Sequence, residues 1–92
     1  MNKPTRPNLI ITNGEQARAL RKKLGQTQGE FWARASTSQS GGSRYESQGR
    51  GIPESVLILL HLSYGTAEEA GAMMAWLRQN QPRAMTSLTS TG

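Results

Sequence analysis

The chain has 92 residues, 35% of them hydrophobic, and a net charge of +5, which suits one domain with a modest core built mainly from Leu, Ile, Ala and Met. It has no cysteine, which excludes disulfides and thiolate metal sites, and its longest apolar run, "VLILL" at 56–60, is far too short to span a bilayer. Residues 12–50 hold seven basic and three acidic side chains (+4) and residues 53–80 hold one and three (−2), so a polyanion-binding half is expected beside a more acidic, apolar half.

Residues 1–11 carry two prolines, Lys3 and Arg6, and are expected to form a flexible basic arm with no secretory signal core. The run "LII" (9–11) can open the core or form a short strand, and the sequence leaves both open. "TNGEQARALRKKLG" (12–25) reads as a first helix. Thr12 or Asn13 caps it, Glu15 sits in its first turn, Ala17, Leu20 and Leu24 form its apolar stripe, and Gly25 ends it.

"TQGEFWARA" (27–35) reads as a second, short helix opened by a Thr27–Glu30 capping box. Phe31, Trp32 and Ala35 should face inward, and Glu30 and Arg34 are spaced to pair outside. After a turn at Ser36–Thr37, "SQSGGSRYES" (38–47) is expected to be a helix capped by Ser38, although each of its two glycines costs about 1 kcal/mol relative to alanine. "QGRGIP" (48–53) reads as a loop. A fourth helix should follow, with Pro53 at its first helical position and Gly65 after its end. A fifth opens with a Thr66–Glu69 capping box and carries Ala70, Met73, Trp76 and Leu77 as its stripe. Residues 81–92, rich in Ser and Thr, read as a disordered tail, which leaves one domain over 12–80.

Two short helices joined by a tight turn have the length and spacing of a helix-turn-helix. In order, the chain shows "LG" (24–25), "TQ" (27–28), "RYE" (44–46) and "GRGIP" (49–53). On these motifs residues 17–53 resemble the Cro and lambda-repressor-like (Xre-type) family of DNA-binding proteins, and "FWARASTSQSGGSRYES" resembles a narrower group of plasmid-borne Kor-type regulators. The chain departs from the family pattern at Trp32, which replaces a small Ala, at Ser36, which replaces the turn Gly, and at Gly42, which replaces an apolar residue. Gln48 lengthens the following loop by one. The Trp32 and Gly42 departures read as one exchange: the indole is expected to pack against the Gly41–Gly42 backbone, filling the space that the missing side chain leaves, which conserves core volume.

The resemblance implies an all-α domain of about five helices whose third helix lies in the DNA major groove. By position, Ser38, Gln39, Ser40, Ser43 and Arg44 would face base edges. Gln39 is suited to adenine and Arg44 to guanine. Thr27, Gln28, Lys22, Lys23 and Arg50 would touch phosphates, and Arg21 and Glu46 would form a partly buried salt bridge. A solvated polar helix face is the plain alternative for the serine-rich segment, as it is for the "RKK" cluster. Leu59, Met73, Trp76 and Leu77 are expected to form a homodimer seam, with burial in the monomer core as the competing role. His61 should be a packed histidine and not a ligand, and Tyr45 a core residue.

An enzyme is hard to assemble from this chain. There is no Asp, and the single His has no acidic neighbour at helical spacing. Glu68 and Glu69 face different sides of their helix, and no glycine-rich loop joins a strand to a helix. No metal, cofactor or small-molecule ligand is implied. The expectation is therefore a cytoplasmic, nucleoid-associated bacterial repressor that binds a palindromic operator as a homodimer. The rival is an antitoxin- or adaptor-like interaction module that uses the apolar C-terminal helices and binds DNA only secondarily.

Overall fold

The computed structural model describes residues 5–47 and 51–79. Over these it is all-α, with five helices and no strand. Helix α1 (Gly14–Leu24) begins where Asn13, in extended backbone, accepts the Gln16 N–H at 2.8 Å. Of the two candidate caps, Asn13 therefore fills the position. Thr12 supports it by donating its N–H and hydroxyl to Gln16 Oε1 at 2.7 and 3.0 Å. The helix ends in a Schellman pair: Gly25, at φ 70°, and Gln26 donate back to the Lys22 and Arg21 carbonyls. Ala17 is buried and Leu20 half-buried, but Leu24 is 48% exposed, so the apolar stripe stops one turn short of the helix end.

Helix α2 (Gln28–Ala33) opens with the expected capping box. Glu30 N–H donates to Thr27 Oγ at 3.1 Å, and Thr27 N–H to Glu30 Oε1 at 2.8 Å. That use of the Glu30 carboxylate displaces the expected Glu30–Arg34 pair. Arg34 instead lies over the Tyr64 ring, 5.3 Å from its centroid. The end of α2 repeats the end of α1: Ser36 and Thr37 donate to the Ala33 and Trp32 carbonyls, with Ser36 at φ 54° where α1 used glycine. Helix α3 (Gln39–Ser47) follows, capped by Ser38, whose hydroxyl oxygen accepts the Gly41 N–H at 3.1 Å.

Helix α4 (Glu54–Tyr64) starts one residue later than expected. Pro53, at ψ 145°, is the non-helical cap residue and Glu54 the first helical one. Helix α5 (Ala67–Gln79) has its Thr66–Glu69 capping box, with bonds of 3.1 and 2.8 Å. No described helix is long and apolar enough to cross a membrane.

α3 packs on both α1 and α2, and α4 packs on α5. Ile11, Ala17, Phe31, Trp32, Ala35, Leu57 and Leu60 form the core between them. Fully burying a residue such as Phe31 or Leu60 contributes about 1.5–3 kcal/mol. Phe31 stacks on Tyr64 with ring centroids 4.6 Å apart, which joins α2 to α4.

The expected flexible arm is shorter than 1–11. Ile11 is 2% exposed and Leu9 and Ile10 pack against the core, outside any helix or strand. The Ile10 N–H donates to His61 Nδ1 at 3.2 Å. A backbone N–H can only donate, so the ring proton of neutral His61 sits on Nε2, which faces the Glu69 carbonyl at 3.1 Å. His61 is 1% exposed and ties the entering chain, α4 and the start of α5 together, a packed histidine as expected. Residues 1–4 and the expected tail at 81–92 lie outside the described residues.

Candidate nucleic-acid interface

Two glycines in nine helical residues make α3 weak on its own, so its position depends on what it rests against. Gly42 is buried, and a methyl group there would overlap Cγ and Cδ1 of the Trp32 indole. The expected exchange of volume between residues 32 and 42 is what the packing shows. Gly41 has no part in it: a Cβ at Gly41 would meet Thr37 Cγ2 at 3.1 Å and Ser38 Oγ at 3.4 Å.

The same edge of the indole does something its sequence position did not announce. Trp32 Nε1–H donates to Glu46 Oε2 at 2.7 Å. Glu46 also accepts two bonds from Arg21, through Nε and a terminal nitrogen, both at 2.9 Å, and one from Gln28 Nε2 at 3.3 Å. Its side chain is 2% exposed and that of Arg21 14%. Arg21 reaches on to the Gln26 carbonyl at 3.1 Å. One carboxylate on α3 is thus gripped from α1 and α2 at once. Burial alone would push the Glu46 carboxyl up, but the bonds from Arg21, Trp32 and Gln28 and the Arg21 charge together hold it below its ordinary value. The bond to Glu46 raises Arg21 in turn, against a smaller opposing effect of burial.

The same C-terminal end of α3 rests on the start of α1. Gly14 is buried, and a Cβ there would run into the Tyr45 carbonyl. Tyr45 is half-buried, 5.6 Å from Trp32 between ring centroids. With Gly42, Tyr45 and Glu46 facing inward, α3 turns its remaining face outward. Ser38, Gln39, Ser40 and Arg44 are exposed and Ser43 half-exposed. Ser38 serves first as the helix cap.

Of the expected phosphate contacts, Lys22 and Lys23 are exposed in the last turn of α1. Thr27 and Gln28 open α2 beside them, Thr27 engaged in its cap and Gln28 bracing α3 through Glu46. Arg50 lies outside the described residues, as does Gln48. A small cleft of about 220 Å³ runs between α1 and α3, lined by Arg18, Arg21, Gln28, Glu46 and Ser47. Arg18 was not among the candidates, yet it lies four residues before Lys22 on the same helix, a spacing that marks it as a neighbour on that face.

The expected seam residues divide. Met73 is fully buried within the single chain, so it packs inside the monomer and has no surface left for a partner. Its neighbour Met74 is 44% exposed, and Leu59, Trp76 and Leu77 are half-buried.

A family model described as an RsaL-like HTH domain matches residues 18–63, 46 of the 92 residues, from the second turn of α1 to the last turn of α4. No curated protein and no solved structure matches the chain.

Proposed function

Because the chain belongs to the RsaL-like helix-turn-helix family, whose matched segment holds α2 and α3 whole, we propose that it is a transcriptional repressor which binds a palindromic operator as a homodimer. The observation that carries the proposal is the division of α3. One face is locked to α1 and α2 through Gly42 and Glu46, and the other presents Gln39, Ser40, Ser43 and Arg44 outward. A helix held in this way enters the major groove with its N-terminal side chains against base edges. Gln39 pairs bidentately with adenine and Arg44 with guanine. Lys22 and Lys23, with Thr27, Gln28 and Arg50, meet the phosphates and fix register. Two copies place their α3 helices about 34 Å apart, in successive major grooves. The dimer forms through Leu59, Met74, Trp76 and Leu77, and repression follows from exclusion of RNA polymerase. The narrower likeness to plasmid-borne Kor-type regulators is outside what the family match addresses. A cytoplasmic, nucleoid-associated location goes with this reading.

Met74, exposed on α5, favours a second reading, in which α4 and α5 grip a different protein and DNA binding is secondary. Titrating the chain against its selected palindrome and against random duplex, at two salt concentrations, separates the two. A repressor prefers its operator by roughly 10³-fold or more. Salt dependence without preference is the mark of a nonspecific binder. Weak binding to both duplexes, with capture of a second protein, favours the interaction module.

A further inference from the structure

Trp32 has two holds on α3, and they are of different kinds. Its ring lies where a side chain at residue 42 would otherwise be, so the distance between α2 and α3 is set by the thickness of the indole against bare backbone. Its Nε1–H, next to Cδ1 on the same five-membered ring that faces Gly42, is bonded to Glu46 at 2.7 Å. Residues 42 and 46 are four apart, one above the other on the same stripe of α3. A steric stop and a directional bond on one stripe fix both the height of α3 above α2 and its rotation about its own axis. The indole is fully buried and stands edge-on to Phe31, at 5.4 Å between centroids and 76° between planes. It cannot turn without disturbing the core.

We infer that Trp32 is a positioning residue for base recognition: the indole, not the base-facing side chains alone, sets which base pairs the chain prefers. The lever is short and stiff. A side-chain tip lies about 5–6 Å from a helix axis, and an arginine tip further still. A rotation of α3 by 10° therefore moves such a tip by about 1 Å, enough to take a bidentate contact out of hydrogen-bonding geometry. Phosphate contacts from Lys22 and Lys23 lie on α1 and do not move with α3, so binding to DNA in general is preserved while discrimination changes. This inference rests on the proposed DNA reading, and the experiment keeps the two apart.

Oligonucleotides are selected from a random pool with three proteins: wild type, the double variant Trp32→Ala/Gly42→Val, which moves the bulk back to α3, and Trp32→Phe, which keeps a ring over Gly42 but removes the bond to Glu46. Helical content is checked by circular dichroism. If wild type recovers no common sequence, the DNA reading itself fails. If it recovers one, the double variant should bind random duplex within about twofold of wild type, yet favour the wild-type sequence at least tenfold less or select a different one. Trp32→Phe should lose preference about three- to tenfold in the same way. A folded double variant that selects the wild-type sequence with undiminished preference overturns the inference. Should the double variant not fold, Trp32→Phe decides alone, and unchanged preference there is equally fatal.

Discussion

Ser36 holds φ 54° in the turn between α2 and α3, in the left-handed region where a side chain costs roughly 1–2 kcal/mol. The matching position at the end of α1 is Gly25, at φ 70°, with the same pair of backbone bonds around it. Ser36→Gly relieves that strain but loosens the unfolded chain, so a net gain of roughly 0.5–1 kcal/mol is expected in the urea midpoint. A loss of stability would show that the serine side chain contributes something the turn geometry does not display. Glu46 gives the second test at this scale. Its folded pKa lies below the unfolded value of about 4.3, so its contribution is fully present above that pH and drains away as pH falls through the folded value. Wild type should therefore lose stability as pH falls below that unfolded value. Glu46→Gln should start about 3–5 kcal/mol lower at pH 7, since the largely covered Arg21 loses its carboxylate. It should then lose less on acidification, and parallel curves for the two proteins would contradict the role given to this carboxylate.

Among the elements, most helix ends were legible because they are local, the start of α4 at Glu54 being one residue off. Asn13, the Thr27–Glu30 and Thr66–Glu69 boxes and the Gly25 stop each involve residues within a turn of one another, and each is present. The Trp32–Gly42 exchange was legible too, since the two departures from one pattern compensate in volume. What lay hidden depends on contacts between distant parts of the chain. No local rule joins Gly14 to the Tyr45 carbonyl, Ile10 to His61, or the indole N–H to Glu46. The depth of Met73 could not be read either, because periodicity finds the buried stripe of α5 but not how far α4 covers it. For α3 the division into an inner and an outer face predicts how two substitutions separate. Arg44→Ala should relax preference at one base position by about 5- to 150-fold, the equivalent of about 1–3 kcal/mol. Lys23→Ala should weaken all sequences alike and lower the salt slope by about one. Equal effects of both variants on every sequence, in quantitative footprinting, would remove the distinction between reading and anchoring.

On the scale of the whole molecule, a basic half (α1 to α3) is joined to an acidic, apolar half (α4 and α5). Phe31 stacked on Tyr64 and the core around Leu57 and Leu60 hold the halves together. A small chain commonly gains stability and binding geometry by pairing with a copy of itself, and the exposed Met74 marks where α5 would do so. Met74→Glu should shift the sedimentation equilibrium from dimer to monomer and weaken operator binding far more than binding to random duplex. An unchanged mass would place the seam elsewhere. The claim under all of these is that α3 lies in the groove of the duplex. The most direct measurement is the change in backbone amide NMR shifts when the selected operator duplex is added to the chain. The largest changes are expected at residues 38–44, with smaller ones at Lys22, Lys23 and Gln28. Changes confined to α4 and α5, with 38–44 unmoved, would contradict that claim.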